Sequence, residues 1–192
     1  MLEDQMKFII EIDKLKTIHR KTKIMHGDRL ENDAEHTWHL AMMALILHPH
    51  ANQEVDLLKV FKMLLVHDLV EIDAGDTFAY DTVGYQDKYE RELRAANRIF
   101  GMLSQAQAQE LMDLWQEYEE RGTKEAKFAS ALDRLQPLIH NRHNRGDTWQ
   151  KYGITQEQVL RRNEEISEGS TVLWEYAQSI IADAVERGYL SK

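Results

Sequence analysis

His67 and Asp68 directly follow the most apolar run in the chain, residues 57–66. An imidazole and a carboxylate at the end of a buried helix cost free energy unless they pair with each other or bind a metal ion. Both outcomes are open for an isolated His-Asp dipeptide. Glu71 comes four residues after His67 and three after Asp68, so on a continuing helix it shares their face. Three ionisable groups on one face of a central helix exceed what packing asks for, although a solvated Glu is the ordinary alternative. His36 falls in the first turn of a separate expected helix. A helix N-terminus disfavours a protonated imidazole and favours anions. That suits a neutral, metal-binding histidine with a phosphate nearby; a surface histidine is the plain alternative. His39, one turn on, reads as a supporting or structural residue.

Asp133 lies off the apolar stripe of its helix, which runs through Phe128, Ala131, Leu132, Leu135, Leu138 and Ile139. Its own face holds Ala126, Ala129, Ser130, Pro137 and His140 and no other formal charge. The strip left for solvent is narrow: Lys127, Arg134 and Asn141. The Asp133 face is therefore expected to be covered by something that wants one carboxylate among small residues. Pro137, at i+4, offers no N–H to the Asp133 carbonyl, and its ring disfavours a straight helix. A local kink or widened turn is expected there.

Helices must position these groups. Two prolines and nine glycines punctuate 192 residues, and no segment alternates with period two. Phe8, Ile9, Ile12 and Leu15 keep helical spacing over residues 2–18. Asn32 with Glu35 forms a capping-box pattern that starts the His36 helix, and Pro49 stops it. Asn52 is expected to cap the next helix, which carries His67-Asp68 and ends near Ala74-Gly75. A polar loop spans about 76–86. Helices resume at roughly 87–102, 105–121, 124–145, 156–167 and 169–187. Ser104-x-x-Gln107 and Thr155-x-x-Gln158 repeat the capping-box pattern, and Leu111, Leu114, Trp115 and Tyr118 make an apolar stripe. The expected fold is all-α, a compact multi-helix bundle.

Composition removes several classes of function. There is no cysteine, so thiolate catalysis, disulfides and Cys-type zinc sites are excluded. The net charge of −9 argues against a broad nucleic-acid face, leaving small phosphorylated substrates that meet local positive charge. No apolar stretch approaches the roughly 20 residues of a membrane span, and Met1-Leu2-Glu3-Asp4 lacks the basic start of a signal peptide. The expectation is a soluble, cytoplasmic protein with no membrane or polymeric nucleic-acid partner.

Together the ionisable residues form an ordered signature. Asp33-Ala34-Glu35-His36, then His67-Asp68-Leu69-Val70-Glu71, then Leu132-Asp133 resembles the H…HD…D arrangement of HD-domain metal-dependent phosphohydrolases. Leu15-Lys16-x-x-x-Arg20, Arg29-x-Glu31-Asn32-x-x-Glu35-His36, Glu71-x-x-x-Gly75-Asp76 and Glu125-Ala126-Lys127-Phe128 extend the likeness to the small 5′-deoxynucleotidase subfamily. The HD pair alone is a weak signal; the ordered set at these spacings is specific. The resemblance covers about residues 8–140; with no linker or repeat in the chain, the expectation is one HD domain over 1–192, its C-terminal helices at 155–187 matching no motif and packed on that core. The resemblance implies His36, His67, Asp68 and Asp133 as metal ligands, Arg20 as a phosphate contact, Glu71 and Asp76 as polar groups near the reacting phosphate, and a homodimer. Lys21-Thr22-Lys23 departs from the aromatic residue expected near Arg20 in nucleotidase members.

Two imidazoles and two carboxylates suit Mn, Fe, Co, Ni or Zn. No histidine lies between Asp68 and Asp133, which points to a mononuclear site. The expected reaction is release of phosphate from a (deoxy)nucleoside 5′-monophosphate by a metal-activated water, with Glu71 managing a proton and Asp76 either sharing that work or holding a sugar hydroxyl. Arg20, Arg29 and Lys88 are the candidate substrate-binding cations. The rivals are an alarmone hydrolase and a helical protein with a structural metal. Ile72, where alarmone hydrolases carry a further acid, argues against the first. A closed ligand shell would favour the second.

Overall fold

A computed structural model describes every residue from Met1 to Lys192. Helix α1 (Leu2–Ile12) leads through a 3-10 turn into a short hairpin of β1 (His19–Lys23) and β2 (Leu30–Asn32). Asn32 then accepts from the Glu35 amide and Glu35 returns to the Asn32 amide, so the capping box opens α2 (Asp33–Leu47). Helix α3 (Leu57–Val66), α4 (Glu71–Ala74), α5 (Lys88–Phe100) and α6 (Gln105–Glu120) follow. The long α7 (Lys124–His143) precedes α8 (Asp147–Lys151), α9 (Gln156–Asn163), α10 (Ile166–Gly169) and α11 (Thr171–Glu186). The all-α architecture stands, and no helix is long and apolar enough to cross a membrane.

Two apolar clusters build the interior. In the larger, α7 supplies Phe128, Ala131, Leu132 and Leu135 against Leu40 of α2, Met63 and Leu64 of α3, and Ile181 of α11. The smaller gathers Phe8, Val66, Val70, Ile99, Phe100 and Trp115. Residues 67–70 form the turn between α3 and α4, so the His67-Asp68 pair sits at the seam of the two clusters.

Several local expectations are corrected. The hairpin has no period-two signature because β1 reads His-Arg-Lys-Thr-Lys, with a single buried position. Asp56, not Asn52, caps α3, accepting from the amides of Leu58 and Lys59. Asn52 instead donates to the carbonyls of Ser167 and Glu168, a tertiary tie. Helix α3 stops at Val66, short of the Ala74-Gly75 end that the apolar run implies. The Ser104 side chain bonds the Gln107 side chain rather than a backbone amide. Helix α7 stays α-helical through Pro137, with no widened turn.

Candidate metal centre and active-site cavity

The α3 terminus sets the tautomer of His67. Its Nδ1 lies 2.8 Å from the Leu64 carbonyl, which can only accept, so Nδ1 carries a proton and in the neutral ring Nε2 keeps its lone pair. That Nε2 is buried with no hydrogen-bond partner, yet it faces Oδ1 of Asp68 at 3.1 Å. Two acceptors this close call for a cation between them. His36, fully buried in the first turn of α2, brings Nε2 to 2.9 Å from Oδ1 of Asp133 and 3.8 Å from Oδ2 of Asp68. Donor atoms of His36, His67 and Asp133 all lie within 4.8 Å of one another. Burial, then the Arg20 charge, pushes the His36 imidazole down, towards its neutral form. Burial works against the Asp133 charge, but the His36 hydrogen bond, the neighbouring imidazoles of His36 and His67 and the Arg20 guanidinium outweigh it and hold the carboxyl well below the ordinary range. Neutral imidazole nitrogens and ionised carboxylates are the donor set that a mid-row divalent ion takes, so these residues fit such an ion.

Arg20 arrives from β1, which explains the hairpin's importance. Its guanidinium lies 3.4 Å from Oδ2 of Asp68, 3.8 Å from Oδ1 of Asp33 and 3.9 Å from Oδ1 of Asp133. Burial alone would lower its pKa; Asp68, Asp133, Asp76 and Glu71 together raise it, and the charge is retained. Glu71, the first residue of α4, is buried. Burial first, then the charges of Asp68, Asp33 and Asp76, pushes its carboxyl well above the usual range. Asp33 is pushed up to about 8, again chiefly by burial. Carboxyl oxygens of Asp33, Glu71 and Asp76 lie within 4.8 Å of one another, so the raised Asp33 and Glu71 carboxyls hold a proton beside the candidate ligand set. Asp76 is raised too, by burial, with Arg20 opposing.

These groups open onto a cavity of about 390 Å³ lined by His67, Asp68, Glu71, Asp76, Arg20 and Lys88 among others. Lys88 is held by Glu92 at 2.7 Å. Its charge is kept by Glu119 and Glu92 against burial. Arg29 is not brought to the cavity: its Nη1 donates to Oε2 of Glu35 at 2.7 Å on the exposed side of the α2 cap. Paired with the capping Glu35, Arg29 does not line the cavity, so the substrate contact expected of it is not made from this position.

The HD domain family matches residues 12–174. The chain belongs to the HD-domain family. The 5′-deoxynucleotidase HDDC2 of Dictyostelium discoideum is 33% identical over 144 residues, covering 72% of this chain and 76% of that one. The human 5′-deoxynucleotidase HDDC2 is 27% identical over 135 residues, covering 70% and 65%. The crystal structure of a protein described as a predicted metal-dependent phosphohydrolase from Magnetospirillum magnetotacticum MS-1 superposes with a TM-score of 0.96 at 51% identity, over 100% of this chain and 96% of that one. A conserved hypothetical protein from Pyrococcus furiosus, 22% identical with a TM-score of 0.66 over 94% and 99% of the two chains, shares the fold.

In this HD-domain protein three further residues join the site without a role read from the sequence, although Asp33 and Glu31 stand inside the motifs that carry the family resemblance. Tyr118 looks like one more member of an apolar stripe, yet its hydroxyl donates to Oδ2 of Asp133 at 3.0 Å and its ring lies 4.8 Å from that of His67. Asp33 looks like an N-terminal helix charge and is fully buried beside Glu71. Glu31 faces the back of His36, its Oε2 3.8 Å from Nδ1. Both atoms lack a hydrogen-bond partner. A carboxyl group behind the imidazole of a candidate ligand is placed to orient its ring. His39 turns away from the ligands, towards Gln136 and His140. The C-terminal segment supplies Trp149, a buried ring of the cavity wall, and Tyr152, packed 4.6 Å from Phe78.

Proposed function

We propose that this protein is a metal-dependent phosphohydrolase that releases phosphate from a deoxynucleoside 5′-monophosphate. One observation carries the reading. Unprotonated Nε2 of His67 converges with His36, Asp68 and Asp133 at the wall of a cavity that also holds Arg20 and the proton-bearing Glu71. The relatives named 5′-deoxynucleotidases support the substrate class, and the cavity volume suits a ligand of nucleotide size.

His36, His67, Asp68 and Asp133 would hold one ion of the Mn, Fe, Co, Ni or Zn type. When bound, such an ion polarises a phosphoryl oxygen and lowers the pKa of water. Arg20 binds the phosphate: it makes no contact shorter than 3.4 Å to a carboxylate, so its donors can close on phosphate oxygens. Glu71 holds its proton in a buried setting and delivers it to the departing sugar oxygen as the P–O bond breaks. Asp76 orients the attacking water or a sugar hydroxyl. Phe78 and Tyr80, on the loop after Asp76, offer the base an aromatic surface that Lys21 does not. The ligand set opens on a cavity, unlike the closed shell of a structural ion. We read the chain as one HD domain. We also read it as forming a homodimer through the outward face of α2, where Trp38, Met42, Leu45 and Ile46 are exposed.

A phosphate-release panel of deoxy- and ribonucleoside monophosphates and a cyclic nucleotide, run with added divalent ions and with chelator, tests the activity. Monophosphate turnover that chelation abolishes is the expected result, as is its loss in Asp68→Ala and Glu71→Ala. Turnover of the diester alone, or a wild-type rate in Glu71→Ala, would overturn it. Sedimentation equilibrium, with Ile46→Glu as the monomerising variant, tests the dimer.

A further inference from the structure

The cavity is electrically divided. Around the ligand set, Asp68, Glu71, Asp76 and Asp133 outnumber Arg20. Another part of the same wall carries Arg121, Arg134 and Arg162, and the one carboxylate that any of them meets is Glu165. Arg121 ends α6 in the left-handed region, at φ 51°, and its guanidinium meets Glu165. Arg134 meets the same carboxylate and also donates to the Arg162 carbonyl. Arg162 has no carboxylate partner. Its Nη2 donates to the Tyr85 hydroxyl at 3.1 Å, and its guanidinium lies 5.7 Å from the centre of that ring. Two positive charges are therefore in excess on a partly buried wall, where repulsion is screened less than in bulk water. Burial first, then Arg162 and Arg121, draws the Arg134 guanidinium down to about 10.

A tie between α6, α7 and α9 would need one guanidinium per carboxylate. A wall with surplus guanidiniums is built for an incoming oxyanion, which planar forked donors grip through paired hydrogen bonds. A nucleoside 5′-monophosphate, its phosphate at the ligand set, leaves only neutral sugar and base to meet this patch. We propose that Arg121, Arg134 and Arg162 form a second oxyanion subsite, so that the preferred substrate is a nucleotide carrying a further phosphate or carboxylate on the part that departs. Tyr85, whose ring also lies 5.9 Å from the Lys88 ammonium, ties the loop after Asp76 to this patch and makes the subsite one wall of the reacting cavity. The proposal rests on the nucleotide reading above.

Calorimetric binding, which needs no turnover, tests it on the protein as purified. One arm compares deoxyadenosine 3′,5′-bisphosphate with deoxyadenosine 5′-monophosphate; the other compares orotidine 5′-monophosphate, which carries a base carboxylate, with uridine 5′-monophosphate. In at least one arm the doubly anionic ligand should bind on the order of 10-fold tighter, as one charge-assisted contact provides. That ratio should collapse towards one in Arg162→Gln and in Arg121→Gln. The arm that responds tells phosphate from carboxylate. Equal binding in both arms overturns the subsite whether or not any nucleotide is hydrolysed, and so does a preference that survives both substitutions. Tighter binding without release of the 5′-phosphate would keep the subsite and sink the proposed activity instead.

Discussion

The hydroxyl of Tyr118 donates to Oδ2 of Asp133 at 3.0 Å, while Oδ1 of the same carboxylate faces His36 at 2.9 Å. The phenol fixes which oxygen of Asp133 turns towards the imidazoles. Burial first, then Asp133 and Asp68, pushes the Tyr118 pKa well up, so it stays a donor. Tyr118→Phe should weaken divalent-ion affinity or activity by about 10- to 100-fold, the usual loss when an outer-shell partner goes, with the ring packing kept. Metal titration alongside turnover measures this; wild-type values for both would show that Asp133 needs no such support.

Arg20 stands within 3.9 Å of four carboxyl groups, those of Glu31, Asp33, Asp68 and Asp133. Arg20→Gln leaves them facing one another in the metal-free protein. Removing one partner of a buried charge set costs about 3–5 kcal/mol, and an added divalent ion should recover part of it. The increase in Tm on adding metal should therefore be larger in the variant than in the wild type. An unchanged Tm in chelator would contradict this.

Glu31 and His140 face each other, Oε1 to Nε2, at 3.7 Å. Burial is the largest influence on both. It pushes the Glu31 carboxyl up from 4.5 to about 7, against Arg20 and Gln136. It pushes the His140 imidazole down from 6.5 to about 4, against its bond to the Lys23 carbonyl. The folded protein thus keeps a proton on Glu31 that the unfolded chain has lost, so this group favours folding more as pH falls from 7 to 4.5. The unfolded chain keeps a proton on His140 that the fold excludes, so this group favours folding less as pH falls from 6.5 to 4. The two slopes oppose each other in the wild type. Relative to it, His140→Gln should lose stability as pH rises towards 7, and Glu31→Gln should lose stability as pH drops below 6.5. Thermal melts of the metal-stripped proteins across this range decide it, and slopes of the same sign in both variants would refute the opposition.

Gly169 ends α10 where the chain crosses α7. A Cβ there would stand 2.3 Å from the Lys127 carbonyl oxygen and 2.9 Å from the Ala131 Cβ. Backbone cannot yield as a flexible side chain does, so Gly169→Ala should destabilise by about 1–3 kcal/mol, the cost of overpacking. Denaturant melts measure it, and a neutral effect would mean that α10 rides loosely on α7.

His36, His67, Asp68 and Asp133 were legible in sequence because each breaks a local pattern. An imidazole at a helix start, an ionisable pair closing an apolar run, and a lone carboxylate on a face of small residues all conflict with simple packing. Helices were legible because caps and apolar spacing are local properties of the chain. Asn52 misled because a good capping residue was claimed by a tertiary partner, and Arg29 because a cation near a motif is not thereby a cation in the cavity. The sequence by itself determined the helical class, the family signature and the residues able to ligate a metal. Only the tertiary structure decided that the His-Asp pair sits in a break between α3 and α4, that a polar hairpin swings Arg20 onto four carboxyl groups, and that Tyr118 and Glu31 stand behind the candidate ligands. Burial and the packing of separate elements against one another set these relations, and no local pattern in the chain encodes them.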